Sequence, residues 1–241
     1  NNPNVKLVFD MSNTNISDAR IGISDNIICP EPYKSNFSKG KMTLIESFCE
    51  LCDVKYDKTM QPQLHTDYLK KDADSIISKI GGDFIIIQFN GGQPPVNYND
   101  KQLYSSVDVG RNYPKYLADK VIEQFKEENP DIAVVNFALP NEPAYDGVLQ
   151  ADAPFGVWHE LLKQSKGFIG IDSSLNHLAE AAGAKGVVVW GSTNMKQFGY
   201  PKNTNLCFHK NQVDNLDPRN IMVEPSNVVE AINDKIKNVI K

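Results

Sequence analysis

Short apolar runs alternate with stretches of helical periodicity over most of the chain after residue 80. Residues 84–89 read FIIIQF, and 131–139, 167–171 and 187–190 are similarly apolar. Such strands are typically buried on both faces, as in parallel sheets. Helical periodicity fills the intervals between these strands, at 114–128, 155–164 and 173–182. The alternation predicts an α/β fold with a doubly wound, Rossmann-like parallel sheet.

The first third of the chain is less regular. Extended stretches are predicted at 5–10 and 21–29, and helices at 41–53 and 66–80. A long polar loop at 93–110 interrupts the α/β pattern. Loops of this size in compact domains usually carry function or move. The chain ends in an amphipathic helix, predicted at 227–240.

Composition narrows the range of functions. The chain has 241 residues, with 25 Lys and Arg against 30 Asp and Glu, which gives a net charge of −5. A general nucleic-acid binder would carry a basic excess, so no nucleic-acid partner is expected. No apolar run reaches the length of about 18 residues that a transmembrane helix needs. Because the chain begins with Asn1 and carries no signal segment, we expect a processed product or a fragment.

The four cysteines give little support for a metal or redox site. Cys49 and Cys52 form a CxxC, but Cys29 and Cys207 are isolated, so a second pair of zinc ligands is missing. The CxxC also falls within a helical pattern, where cysteine packs as a small hydrophobic residue. We therefore favour buried thiols over a metal or redox motif, and a reducing, cytoplasmic compartment.

The most informative stretch is 167–193, which reads GFIGIDSSLNHLAEAAGAKGVVVWGST. Asp172 falls at the carboxyl end of a strand, where open α/β sheets bind ligands. Ser173 and Ser174 then begin a helix, whose free N–H groups and dipole suit a phosphate or diphosphate. His177 lies one turn further on the same helix face. Because a carboxylate repels phosphate, Asp172 is better suited to accept a hydrogen bond from a sugar hydroxyl. The alternative is structural: Asp-Ser-Ser is a good helix cap, and a lone histidine often packs in a core.

This stretch resembles the signature of glycosyltransferase family 9, the ADP-heptose:lipopolysaccharide heptosyltransferases. In that family a strand leads into Asp-Thr-Gly-x-x-His-x-Ala, and the next strand ends in Gly-x-Thr. The matching residues here are Asp172-Ser173-Ser174, His177, Ala179 and Gly191-Ser192-Thr193. Weaker resemblances extend to residues 7–22, 85–91, 111–114 and Glu142. The chain departs from the family at three points. Ser174 replaces glycine, and Arg111 replaces lysine and follows the long loop at 93–110. Only about 80 residues precede Phe84, where the family has a complete domain whose early loop supplies the catalytic carboxylate, so the base is expected from an absent N-terminal region.

The resemblance implies a role for each of the upstream residues. Asn90 and Gly91 would approach the phosphates of a nucleotide sugar, Arg111 would neutralise the leaving diphosphate, and Glu142 would hold the ribose. His177 would support the phosphate or the sugar. The structural alternatives are a plain βα turn for Asn90 and Gly91, a solvated surface cation for Arg111, and a loop carboxylate for Glu142.

The resemblance also implies a GT-B fold and the inverting transfer of a heptose-like sugar, without a metal, from a nucleotide-sugar donor to a glycan or lipid-linked glycan. We expect a partial N-terminal domain at 1–62, a nucleotide-sugar domain at 63–225, and a terminal helix at 226–241 that crosses back to the first domain. Peripheral association with the inner face of a membrane would suit such an acceptor. The catalytic base is unknown: no Gly-Asp pair follows a first strand, and Asp10 is a poor substitute.

Two other functions remain open. The first is a sugar-nucleotide epimerase, which would need an acid and a base in the same cleft, and only His177 with Glu142 or Asp172 is available. The second is a non-catalytic module that binds sugar nucleotides and lacks the base.

Overall fold

The computed structural model describes residues 36–59, 62–91, 112–138, 142–191, 193–207 and 219–241. The chain divides into a smaller unit, Asn1–Met60, and a larger one, Gln61–Lys241. The domain boundaries expected at 62 and 225 stay predictions. The extended stretches expected at 5–10 and 21–29, the loop at 93–110, Arg111 and Ser192 lie outside the described residues.

In the smaller unit, a 3₁₀ turn at Asn36–Lys39 precedes helix α1, Leu44–Leu51. A reciprocal cap begins α1: Thr43 Oγ1 accepts from the Glu46 amide at 3.2 Å, and Glu46 Oε2 accepts from the Thr43 amide at 2.7 Å. Cys49 is half-buried and Cys52 is exposed. The expectation of buried thiols is therefore wrong for Cys52, because α1 ends at Leu51 and Cys52 stands in the turn that follows.

In the larger unit, the described residues form one parallel sheet of seven strands. The strands are β1 Phe84–Gln88, β2 Ala133–Asn136, β3 Leu149–Gln150, β4 Gly167–Ile171, β5 Gly186–Trp190, β6 Thr204–Cys207 and β7 Asn220–Met222. Their order across the sheet is β3-β2-β1-β4-β5-β6-β7, and every pair is parallel. The predicted doubly wound α/β fold is confirmed.

Six helices accompany this sheet in the described ranges. They are α2 Lys70–Ile80, α3 Lys115–Glu128, α4 Phe155–Gln164, α5 Ser174–Ala182, the short α6 Met195–Phe198 and α7 Val228–Ile240. Gly183 ends α5 with a left-handed backbone (φ 77°), as a glycine after a helix commonly does. No helix in these parts of the chain is both long enough and apolar enough to cross a bilayer.

The core consists of two apolar layers, one on each face of the sheet. Alternate residues of β1 point to opposite faces: Ile85 and Ile87 pack with α3 and α7, whereas Phe84 and Ile86 pack with α2, α4 and α5. This two-sided burial explains why the central strands are almost purely apolar. Polar groups are thereby confined largely to the strand ends.

The terminal helix α7 belongs to the larger unit. Val228, Ile232 and Ile236 are fully buried in the same apolar layer as α3. Lys237 also pairs with Glu128 at the end of α3, at 2.9 Å. The expected crossing of this helix to the N-terminal part stays a prediction.

A buried polar cluster attaches the segment before α2 to helix α4. Thr66 Oγ1 donates to Glu160 Oε1 at 2.5 Å and lies 2.6 Å from His159 Nδ1. Lys163 also donates to Glu160, at 2.7 Å. Burial alone would raise the pKa of Glu160, but the hydrogen bonds from Lys163 and Thr66 outweigh it and lower that pKa.

Glu160→Gln should reduce the acid sensitivity of folding. Because the folded state lowers the pKa of Glu160, its contribution to stability is present above the ordinary carboxyl pKa and is lost as the pH falls through the lowered value. The melting temperature of the unaltered chain should therefore drop more between about pH 5 and pH 3 than that of Glu160→Gln. The exposed Glu127→Gln should keep the full drop, and equal drops in all three proteins would contradict the assignment.

Close contact between β4 and β5 makes Gly186 hard to replace. A Cβ at Gly186 would overlap the ring and the carbonyl oxygen of Phe168, whereas one at Gly82 would meet nothing within 4 Å. We expect Gly186→Ala to lower the free energy of unfolding by about 1–3 kcal/mol. Urea unfolding measures this, with Gly82→Ala as the matched control. Equal stability of the two variants would show that the strands can separate to admit a methyl group.

Candidate functional site

The strand order places the candidate site between β1 and β4. From β1 the chain proceeds to β2 and β3 on one side of the sheet, and from β4 it proceeds to β5, β6 and β7 on the other. The gap between the carboxyl ends of β1 and β4 is therefore the topological switch point, where open α/β sheets bind ligands. Asn90 follows β1, and Asp172 and Ser173 follow β4. All three residues are buried, with 4–6% of their surface exposed.

Gln88, the last residue of β1, joins the two strand ends. Its side-chain oxygen accepts from the Ser173 hydroxyl at 2.5 Å and from the Leu175 amide at 3.2 Å. Leu175 lies in the first turn of α5, so Gln88 satisfies one of the amides that a helix start leaves without an intrahelical partner. Ser173 occupies the N-cap position, but its own side chain makes no capping hydrogen bond. The capping role considered for the Asp-Ser-Ser sequence is thus taken by a residue from another strand.

The two serines therefore differ in what they offer a ligand. The hydroxyl of Ser173 is directed to Gln88, whereas Ser174, the first residue of α5, is exposed. A ligand at this helix start would meet the Ser174 side chain and the backbone of the first turn.

The segment after β1 is fixed by hydrogen bonds to the start of α3. The Gly91 amide donates to Asn112 Oδ1 at 2.7 Å, and the Tyr113 amide donates to the Phe89 carbonyl at 2.8 Å. Asn90 Nδ2 donates to the Tyr145 hydroxyl at 3.3 Å. These bonds hold Asn90 and Gly91 at the carboxyl edge of the sheet.

Tyr145 is a buried phenol beside Asn90. Its ring meets that of Phe89 edge-on, with centroids 6.1 Å apart, and the Lys115 ammonium lies 5.2 Å from its centroid. Burial raises the pKa of Tyr145 well above its ordinary value, although the hydrogen bond from Asn90 opposes the shift. The negative charges of Asp119 and Glu142 also raise this pKa. Tyr145 therefore remains protonated and acts as a neutral hydrogen-bonding group.

His177 lies one turn into α5 and is half-buried. Its Nδ1 atom is 2.8 Å from the Tyr200 hydroxyl, and the two rings meet edge-on with centroids 5.6 Å apart. The core-packing alternative does not describe this residue well, because a polar contact holds the ring and part of it is accessible.

The structure thus brings predicted residues to the carboxyl edge of the sheet in separate contacts. Ser173, which follows Asp172, is hydrogen-bonded to Gln88; Asn90 is bonded to Tyr145 and Gly91 to Asn112. His177 contacts Tyr200, and Glu142 stands three residues before Tyr145 in the sequence. Arg111 cannot be assigned to any of these contacts, because it lies outside the described residues. The functional roles of all these residues stay predictions. In the described parts of the chain, no group of three or more His, Cys, Asp or Glu side chains could hold a metal ion.

Sequence reasoning missed Gln88, Tyr145 and Tyr200. Gln88 left one signal, since it is the only polar residue in the run FIIIQF. Tyr145 and Tyr200 left none, because each contacts a site residue that is distant along the chain. Asn90 and Tyr145 are 55 positions apart, and His177 and Tyr200 are 23 apart.

A family model described as glycosyltransferase family 9 (heptosyltransferase) matches residues 155–221. The resemblance to glycosyltransferase family 9 is confirmed. The matched segment runs from α4 to β7 and includes Asp172, Ser173, Ser174 and His177. Asn90, Gly91, Arg111 and Glu142 precede it. No curated protein matches the chain in sequence.

Two solved structures, a family 9 glycosyl transferase and a heptosyltransferase, share the fold. A family 9 glycosyl transferase from Veillonella parvula is 13% identical with a TM-score of 0.56, and the match covers 81% of this chain and 60% of that one. The ADP-heptose LPS heptosyltransferase II of E. coli is 15% identical with a TM-score of 0.55, and the match covers 82% of this chain and 62% of that one. The chain therefore spans about three fifths of the length of these structures. At such low identity the likeness shows the GT-B-like fold alone.

Replacing Gln88 should destabilise the link between β1 and α5. Gln88→Leu keeps most of the side-chain volume but leaves a buried hydroxyl and a buried amide without their acceptor. We expect the free energy of unfolding to fall by about 1–3 kcal/mol. Gln124→Leu, on the surface of α3, is the matched control and should change it by less than about 0.5 kcal/mol. A Gln88→Leu protein as stable as the control would contradict the bridging role.

Proposed function

We propose that this chain supplies the donor-binding part of an inverting glycosyltransferase, which transfers a heptose-like sugar from a nucleoside-diphosphate sugar, ADP-linked, to a glycan or lipopolysaccharide-type acceptor. The observation that carries this proposal is the polar site at the switch point between β1 and β4, of which Asp172 and Ser173 lie inside the segment that matches family 9. The description of the E. coli neighbour as an ADP-heptose LPS heptosyltransferase supports the choice of donor and acceptor.

In this proposal, different residues bind different parts of the nucleotide-sugar donor. The diphosphate lies at the start of α5, where the helix dipole and the first-turn backbone favour an anion. Asn90 and Gly91 contact it from the end of β1, and His177 donates a hydrogen bond to a phosphate or sugar oxygen. Asp172 accepts from a sugar hydroxyl, and Glu142 accepts from the ribose, since it lies beyond β2 near Tyr145.

The proposed reaction is a glycosyl transfer that inverts the configuration of the anomeric carbon. The acceptor hydroxyl attacks the anomeric carbon and loses its proton to a general base, while the bond from that carbon to the diphosphate oxygen breaks. The leaving nucleoside diphosphate gains negative charge, which Arg111 would stabilise as a bidentate cation. We propose no metal for this step. The base is not among the residues assigned here, and we expect it from the N-terminal part of the protein. We further propose a cytoplasmic protein that works at the inner face of a membrane, where a lipid-linked acceptor would be presented.

Asp172→Asn should weaken donor binding. It removes the acceptor charge but keeps the side-chain shape, so the dissociation constant for an ADP-sugar, measured by calorimetry, should rise about tenfold or more. Asp83→Asn is the matched control, because Asp83 precedes β1 at the opposite edge of the sheet and pairs with Lys166 on the surface at 3.1 Å. Equal affinity of the two variants would overturn the role of Asp172.

The same titration, run with ADP-, GDP- and UDP-sugars in the presence and absence of a chelator, tests the choice of donor and the lack of a metal. ADP-sugars should bind tightest, with or without the chelator. Absence of binding by every nucleotide sugar would overturn the proposed function. Tight binding without transfer by the full-length protein would favour the non-catalytic module.

A further inference from the structure

The loop between α6 and β6 contacts the histidine of the candidate site. This loop, residues 199–203, carries Tyr200, whose hydroxyl lies 2.8 Å from His177 Nδ1. The two rings are nearly perpendicular, at 86°. Tyr200 therefore occupies the Nδ1 side of the imidazole ring.

Buried asparagines hold the backbone of this loop in place. The Tyr200 carbonyl accepts from the Asn203 amide at 3.2 Å and from Asn205 Nδ2 at 3.5 Å. Asn205 in turn accepts from the Trp190 indole at 2.9 Å, and Asn203 donates to Asn176 of α5 at 3.1 Å. Asn176 and Asn203 are fully buried, and Asn205 nearly so. These hydrogen bonds favour one loop conformation, because moving the loop would leave more of the buried amide groups without a partner.

A second attachment joins the loop to α5 directly. Lys202 Nζ donates to the Glu180 carbonyl at 2.9 Å and pairs with the Glu180 carboxylate at 3.1 Å. Both Tyr200 and Lys202 thus contact the helix that carries His177. Three contacts thus join the loop to α5: Tyr200 to His177, Asn203 to Asn176, and Lys202 to Glu180.

The contact with Tyr200 bears on which ring nitrogen of neutral His177 carries the hydrogen. A neutral imidazole carries one hydrogen, on either Nδ1 or Nε2, and a protein selects between these forms through the hydrogen bond made at the other nitrogen. A tyrosine hydroxyl, with an ordinary pKa near 10, is protonated at neutral pH and can donate to Nδ1. The hydrogen of the imidazole then resides on Nε2, which becomes a hydrogen-bond donor.

We propose that Tyr200 is a positioning residue for the donor site: it donates to His177 Nδ1 and thereby holds His177 in the Nε2–H form, which donates to the nucleotide sugar. This inference rests on the proposed function, since it supplies the donor that a diphosphate or sugar oxygen requires. It adds a specific role for the loop at 199–203. The opposite arrangement, with Nδ1–H donating to Tyr200, would leave Nε2 as an acceptor that repels phosphate oxygens.

Tyr200→Phe tests the inference, because it keeps the ring and removes only the hydroxyl. Long-range proton–nitrogen NMR of the imidazole, at about pH 8 to keep histidine neutral, reports which nitrogen carries the hydrogen. His177→Gln identifies the resonances. We expect the Nε2–H form in the unaltered chain and a mixture of both forms in Tyr200→Phe. The dissociation constant for an ADP-sugar should rise about twofold or more, because only the fraction of the protein in the Nε2–H form can donate to the ligand.

Tyr68→Phe is the matched control, because Tyr68 is 73% exposed. It should change neither the imidazole signals nor the affinity. An Nδ1–H form in the unaltered chain, or unchanged signals in Tyr200→Phe even with reduced stability, would overturn the inference, since a merely structural tyrosine would not set the imidazole form. Altered signals with unchanged affinity for the ADP-sugar would also overturn it while leaving the proposed function intact. Absence of ADP-sugar binding by the unaltered chain would overturn both.

Discussion

The side-chain oxygen of Gln88 is the point on which the arrangement of the candidate site depends. It accepts two hydrogen bonds, from the Ser173 hydroxyl and from the Leu175 amide, and so joins the end of β1 to the start of α5. Both donors are buried, and a buried donor without an acceptor is costly. The bridge therefore fixes the spacing of the two segments that border the switch point, and with it the relation of Asn90 to Asp172.

Other hydrogen bonds hold the segments that follow β1 and the loop that contacts α5. On the β1 side, Asn112 and Tyr145 hold Gly91 and Asn90. On the α5 side, the asparagine network around Asn203 holds the loop that carries Tyr200 against His177. Most of these groups are neutral amides and hydroxyls, which can be buried at strand ends if each finds a partner. An anionic ligand would accordingly enter a site whose protein groups are already oriented.

The sequence predicted the sheet well where burial dictates composition. Strands such as Phe84–Gln88 and Gly186–Trp190 are buried on both faces, so their apolar runs are unambiguous. The position of Asp172 at a strand end followed directly from such a run. The strands away from the centre of the sheet gave no comparable signal: β3, at one edge, has only two residues, both exposed, and β6, next to the other edge, begins with Thr204 and Asn205. The single helix expected at 66–80 is a 3₁₀ turn at Asp67–Leu69 followed by α2.

The contacts within the site could not be predicted from the sequence, for a different reason. Which residue of β1 lies beside β4 depends on the register of the two strands, in which Gln88 pairs with Gly170. An apolar pattern buried on both faces does not specify that register. The contact between Tyr200 and His177 likewise depends on the path of a loop that asparagine side chains hold in place. Hydrogen bonds of this kind produce no periodic pattern in the sequence.

We propose that the carboxyl ends of β1 and β4 form the binding edge for a nucleoside diphosphate. The most direct measurement is a titration of the isotopically labelled chain with ADP, followed by amide proton–nitrogen correlation NMR. The account predicts saturable shifts centred on the amides of Asn90, Gly91, Ser173, Ser174 and Leu175, with little change at the amino ends of the strands near Asp83 and Lys166. Shifts centred on that opposite edge, or no saturable shift at all, would contradict it.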